Sequence, residues 1–276
     1  MRALLASPLG FIIGLSLGAL GGGGSVLAVP ALVYGAGQDP RTATTTSLLL
    51  VGVAALIGMG SHWRNGRVRV ATGILFGLCG VGGSLAGSAI NTRSNPDALL
   101  LGFAVLTCVA AWRMLTGCPT CTKVGETVVL AKLATSTDAA SRTGPSSRRI
   151  DARTAATILA AGTAVGFLTG LFGVGGGFVI VPALTLVLKL PMPEAIGTSL
   201  LVIVINSAVA LSTRMANSTI DWAVTLPFVA ATIIGVLTGA RIAERLEPKR
   251  SLQWFAALLI GVAVYTAIQA TTALIA

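Results

Sequence analysis

One stretch is written twice in this chain, and it constrains the fold more than any other feature. Gly18-Ala19-Leu20-Gly21-Gly22-Gly23-Gly24-Ser25 runs into Val29-Pro30-Ala31-Leu32, and Gly170-Leu171-Phe172-Gly173-Val174-Gly175-Gly176-Gly177 runs into Val181-Pro182-Ala183-Leu184. Gly173 stands 152 positions after Gly21. Each interior glycine costs a helix about 1 kcal/mol relative to alanine, so a glycine run between apolar flanks serves something other than helix stability. The same offset pairs Ala43, Thr46, Ser47, Leu48 and Leu49 with Ala195, Thr198, Ser199, Leu200 and Leu201, and Phe76, Gly83, Gly87, Arg93 and Pro96 with Phe228, Gly235, Gly239, Arg245 and Pro248. The chain is a gapless internal duplication.

The setting of the duplication is a membrane. Of 276 residues, 54% are hydrophobic and 10% charged, with mean hydropathy +0.87, which excludes a soluble domain. The net charge of +10 does not indicate nucleic acid, because the basic residues fall between apolar spans with no interleaved aromatics. They read as topology signals at an anionic membrane surface. Arg2 and the apolar run from Leu9 look like a signal peptide, but the same motif recurs mid-chain, where none can lie.

Leu9 to Leu20 and Val26 to Tyr34 are apolar pieces too short for a bilayer core of about 30 Å. Ala43 to Ser61, Val70 to Ile90 and Ala98 to Met114 are long enough to span. Residues 116–153 are polar and carry six cations, the composition of a flexible linker. The pattern then restarts with Ala155 to Leu171, the second glycines and Phe178 to Lys189. Spans follow near Ala195 to Thr213, Trp222 to Ile242 and Leu252 to Leu274. The domains are therefore a first transmembrane repeat (1–115), a cytoplasmic linker (116–153) and a second repeat (154–276).

Charge placement chooses between two topologies. If each glycine element crosses once, there are eight spans, and the better orientation puts 12 of the 19 lysines and arginines inside. If each is a re-entrant hairpin, every half has three crossings, the second half is inverted, and 15 of 19 lie inside. The positive-inside rule favours the latter. The expected fold is all-α and integral to the membrane: two inverted repeats, each a glycine-broken (re-entrant or kinked) helical element plus three transmembrane helices. Internal duplication of this kind is typical of secondary transporters, whose sites form between the halves near the midplane.

In such a pair the two glycine loops approach the midplane from opposite faces, and each feeds a short half-helix beginning near Ser25 or Phe178. Free N–H groups and positive dipole ends then converge on one anion site, with glycine admitting a ligand to the main chain. The candidate substrate-binding residues are Gly22, Gly23, Gly24, Ser25, Gly175, Gly176 and Gly177, joined by the hydroxyls of Thr46, Ser47, Thr198 and Ser199. Back-bonding to the preceding turn accounts for any one of these hydroxyls equally well. Asn206, about three turns into its span, is a further candidate, with an interhelical hydrogen bond as the equal alternative.

The doubled G-x-G-G-G-x-x-x-x-P-A-L element, Gly21 to Leu32 and Gly173 to Leu184, and the A-x-x-T-S starts at Ala43 to Ser47 and Ala195 to Ser199 resemble the TauE/SafE family. The first copy carries Gly24-Ser25 where a glycine pair is expected, so the two loops are not equivalent. The resemblance implies a cell-membrane permease that exports sulfite or small organosulfonates such as sulfoacetate. An anion channel, or a permease for sulfate, thiosulfate or a carboxylate, is the alternative. The implied partners are a small anionic substrate and the lipid bilayer, with a homodimer left open and nucleic acid excluded.

The remaining polar residues offer little chemistry. No acidic residue lies deep in a span, so a carboxylate proton relay is unsupported. Glu194 reads as a helix-start acid. His62 beside Trp63 reads as an interfacial anchor. Cys79 and Cys108 read as packing residues, and Cys118-Pro119-Thr120-Cys121 as incidental, since one C-x-x-C supplies only two zinc ligands. No catalytic constellation, metal site or cofactor is expected.

Overall fold

A computed structural model describes residues 2–35, 37–38, 40–91, 96–116, 152–172, 177–214, 222–245 and 253–264. Residues 117–151 of the predicted linker (116–153), with the cysteines of the C-x-x-C, Gly175, Gly176 and the far end of the last predicted span, lie outside the described residues. The described elements are all helical: α1 (Arg2–Leu20), α2 (Gly24–Pro30), α3 (Pro40–Arg64), α4 (Val70–Asn91), α5 (Pro96–Thr116), α6 (Ala152–Phe172), α7 (Gly177–Pro182), α8 (Met192–Arg214), α9 (Trp222–Arg245) and α10 (Gln253–Val264). Helices α3, α4, α8 and α9 contain spans long and apolar enough to cross a membrane, at Thr42–Arg64, Val70–Ile90, Met192–Ser212 and Trp222–Ile242.

The two glycine elements are built alike. Helix α2 continues past Pro30 as a π-helical turn, Ala31–Gly35, and α7 continues past Pro182 as a second, Ala183–Val187. Proline withholds an N–H and crowds the carbonyl four residues back, which the wider turn relieves. Each unit ends in a left-handed residue at the matched positions Gly37 (φ 66°) and Lys189 (φ 52°). The Gln38 N–H then donates to Leu32 O, and the Leu190 N–H to Leu184 O, both at 3.1 Å. Together α2 and its turn hold 12 residues, about 18 Å of helix, too short to cross. Gly24 lies against Ile13 and Leu17, and the π turn still touches α1, so the chain doubles back on itself.

Glycine columns knit the halves together. Gly10, Gly14 and Gly18 of α1 face Phe228, Thr232 and Val236 of α9 in the same order, and Gly162, Gly166 and Gly170 of α6 face Phe76, Gly80 and Ser84 of α4. Both pairs therefore run parallel. A β-carbon on Gly10 would fall 2.9 Å from Phe228 O, and one on Gly162 would fall 2.9 Å from Phe76 O; only glycine allows backbones this close. Within lipid, where apolar burial does not draw helices together, such backbone contact is the main source of association. The i, i+4, i+8 glycines at 10, 14, 18 and 162, 166, 170 are thus packing devices.

At the centre, α3 and α8 pack antiparallel: Gly52 meets Ser207, Gly58 meets Leu200, and Gly197 meets His62. Helix α4 runs parallel to α8, with Gly73 on Leu201 and Gly77 on Ile205. Fully buried Phe76 and Phe228, a matched pair, anchor the two sides of the core. At one end, the Nε–H of Arg69, just before α4, donates to Glu194 Oε2 in the first turn of α8 at 2.5 Å. The α3–α4 turn and the start of α8 therefore share an end of the bundle.

Candidate functional site

The two glycine turns meet. A β-carbon on Gly22 would fall 2.7 Å from the carbonyl carbon of Gly177, and one on Gly177 would fall 3.0 Å from Gly22 O. Gly21 takes φ 78°, a left-handed conformation that L side chains rarely adopt. The turn is held from the other half: Ser199 Oγ lies 3.0 Å from Gly21 O and 2.8 Å from Ile196 O, with one proton for the two. Ser25 Oγ donates to Gly22 O at 2.8 Å.

Beside this junction lies a cavity of about 290 Å³. Its wall takes Ser25 and Val29 from α2, Thr44, Ser47, Leu48 and Val51 from the first half of α3, and Val81, Ser84, Leu85 and Ser88 from α4. Thr169 and Gly170 of α6 and Asn206, Ser207, Val209 and Ala210 of α8 complete it. No lining residue carries a charge, and hydroxyls and one amide supply the polarity. Asn206 Oδ1 is buried with no hydrogen-bond partner, and the amide sits over Gly80, 3.9 Å from where a β-carbon would be. An unpaired buried amide oxygen is costly and calls for a donor, so toward an anion only the Nδ2–H groups of this amide can serve.

Of the predicted residues, Ser25, Ser47 and Asn206 come together in this wall. Ser47 also shows the back-bonding alternative, its Oγ donating to Thr44 O at 2.8 Å. Gly22, Gly24 and Gly177 are buried in the junction next to the cavity. Gly23 faces Leu258 and Phe255 of α10 instead, because the positive φ at Gly21 swings the turn. Thr46 is fully buried with its Oγ1 unpartnered. Thr198 and Ser199 do not line the cavity: Thr198 Oγ1 accepts the Arg69 backbone N–H at 3.1 Å, and Ser199 holds the glycine turn.

His62 is only 2% exposed while Trp63 is 52% exposed, so of the two predicted anchors Trp63 faces outward and His62 inward. The α3–α4 turn folds over His62, with the Arg67 N–H donating to His62 O at 2.9 Å. Glu194 is in the first helical turn as predicted and also pairs with Arg69. Ser84, Ser88, Thr169 and Ser207 were missed. Their signal was present: at the 152 offset their partners are Val236, Ala240, Leu17 and Ala55, so polarity survives in only one of each pair.

Apolar crossing helices, joined by backbone contact around a polar, uncharged cavity, define a multi-pass membrane protein with room for a small solute. The chain belongs to the TauE/SafE family, since residues 6–266 match the model described as "Sulfite exporter TauE/SafE". It is 31% identical over 272 residues to a "Probable membrane transporter protein" of Xylella fastidiosa (strain Temecula1), covering 97% of this chain and 95% of that one. It is 26% identical over 255 residues to "Probable membrane transporter protein YunE" of Bacillus subtilis, covering 89% and 88%. No solved structure matches it. The protein is a membrane transporter.

Proposed function

We propose that this transporter is a secondary carrier that exports small sulfur-containing oxyanions, sulfite or an organosulfonate, binding them in the cavity beside the glycine junction. The observation that carries the reading is the meeting of Ser25, Ser47 and Asn206, singled out from three separate parts of the sequence, in one uncharged wall. Amide and hydroxyl donors stabilise an oxyanion without a buried cation that would hold it too firmly for release, the Ser25 and Ser47 hydroxyls turning to it from the Gly22 and Thr44 carbonyls to which they donate in this structure. A volume of about 290 Å³ lies at the small end of ligand sites, about 300–1,000 Å³, and suits a compact solute.

The inverted arrangement supports the reading. In the eight-crossing topology the α3–α4 turn and the start of α8 would lie on opposite faces; the Arg69–Glu194 pair and the antiparallel packing of α3 on α8 fit the inverted topology instead. The linker, 116–153, is then cytoplasmic, between repeats 1–115 and 154–276. Counterflow in proteoliposomes tests the function. Internal sulfite or sulfoacetate should accelerate uptake of the labelled anion, whereas a channel gives passive flux with no such acceleration, and preference for sulfate, thiosulfate or a carboxylate would reassign the substrate.

A further inference from the structure

The cavity has a closed twin. Shifting its lining residues by 152, forward or back, gives a matched set that, like the cavity itself, is drawn from both halves, and the two sets differ in exposure. Thr44, Leu48, Ser84 and Thr169 are half-buried and Ser88 is exposed. Their counterparts Ile196, Leu200, Val236, Leu17 and Ala240 are 3%, 0%, 0%, 0% and 4% exposed. Asn206 is half-buried, whereas its counterpart Ala54 is 1% exposed. The two sites related by the duplication, each drawn from both halves, therefore differ: one is open and the other packed shut.

The closed twin has a fastening at its end. Thr44 in the cavity and His62 in the last turn of α3 are 18 residues apart on one helix, about 27 Å, so the α3–α4 turn that follows lies at the end opposite the cavity mouth. There Arg69 binds α8 twice, through its side chain to Glu194 and through its backbone N–H to Thr198 Oγ1. The matched threonine on the cavity side, Thr46, is buried with its Oγ1 unpartnered. The hydrogen bond that Thr198 accepts thus has no equivalent at Thr46.

Resting on the reading of the cavity as the transport site, we propose that the Arg69–Glu194–Thr198 contact is the latch of a closed gate, and that its release opens the twin cavity to the opposite face of the membrane. The side-chain pair is 44% and 30% exposed, so it is a weak fastening, as a contact broken in every cycle must be. The chemistry of the walls suits the two states. Leu17, Ala54, Val236 and Ala240 close without burying an unpaired polar group, whereas closing Ser84, Ser88 and Asn206 with no ligand would do so. The polar side therefore closes readily only over a bound substrate, which ties movement of the gates to occupancy.

The test uses the full chain with Cys79, Cys108, Cys118 and Cys121 replaced by serine, carrying either Ser88→Cys or its counterpart Ala240→Cys, in sealed vesicles of known orientation. A membrane-impermeant maleimide should label Ser88→Cys from one face and Ala240→Cys from neither. Adding Glu194→Gln should make Ala240→Cys react from the other face, up to about fivefold faster, the most that a half-exposed pair biases a two-state equilibrium. The charge swap Arg69→Glu with Glu194→Arg should reverse this, and Val236→Cys should repeat the result should Ala240→Cys misfold. Labelling of Ser88→Cys with no response of Ala240→Cys and Val236→Cys to Glu194→Gln overturns the latch alone. Absence of labelling at Ser88→Cys from either face overturns the cavity reading and the latch with it.

Discussion

Alanine at Gly14 and alanine at Gly60 are the same chemical change, but the structure assigns them opposite signs. A β-carbon on Gly14 would fall 2.8 Å from the carbonyl carbon of Thr232 and 2.9 Å from its α-carbon, against 3.4 Å for ordinary contact. Thr232 O lies closer still, so helices α1 and α9 must separate by about an ångström, an overpacking cost of about 3 kcal/mol, offset by up to about 1 kcal/mol of helix propensity. At Gly60, nothing lies within 4 Å and only the propensity gain of up to about 1 kcal/mol remains. Gly14→Ala combined with its counterpart Gly166→Ala, in two separate interfaces, should lose the sum of the two effects. Thermal unfolding of the purified variants in one detergent reads the result: lower melting for Gly14→Ala and Gly166→Ala, their sum for the pair, and unchanged or higher melting for Gly60→Ala. Equal shifts at Gly14 and Gly60 would refute the claim that backbone contact along the glycine columns holds the halves together.

Asn206→Ala should weaken anion binding at least tenfold while the protein stays monodisperse, since a hydrogen bond to a charged group contributes about 1.5–3 kcal/mol; a ligand-induced melting shift equal to that of the parent protein would contradict the amide contact. Lys189→Gly should raise stability by about 1 kcal/mol, because it relieves a left-handed β-carbon at the site where the first half carries Gly37; thermal unfolding checks it. Reporter fusions at Met1 and Ala276 should place both ends outside and a reporter in residues 117–150 inside; both ends in the cytoplasm would restore the eight-crossing topology.

The sequence made the broad architecture legible for a physical reason: a bilayer demands long uninterrupted apolar helices, so Val70 to Ile90 and Trp222 to Ile242 can be read from length alone, and both coincide with observed spans. The glycine elements were legible because two copies share an expensive composition. The finer placement was not. Whether Thr198 faces a ligand or a backbone N–H depends on Arg69, which is 129 residues away. Gly23 points at α10 because of one positive φ two residues earlier, which a glycine run cannot reveal. Ser84 and Ser88 look like ordinary small residues of a membrane helix until they are set beside Val236 and Ala240, and only then does the one-sided polarity of the duplication mark the cavity.

The central claim is that a small oxyanion crosses by way of the cavity walled by Ser25, Ser84 and Asn206. Its most direct measurement is counterflow of labelled sulfite and sulfoacetate in proteoliposomes holding the parent protein or Ala210→Phe, in which a ring fills the cavity from the wall of α8. Trans-accelerated uptake by the parent that Ala210→Phe abolishes, with both proteins monodisperse and equally reconstituted, is the predicted result. Undiminished counterflow through Ala210→Phe would contradict it.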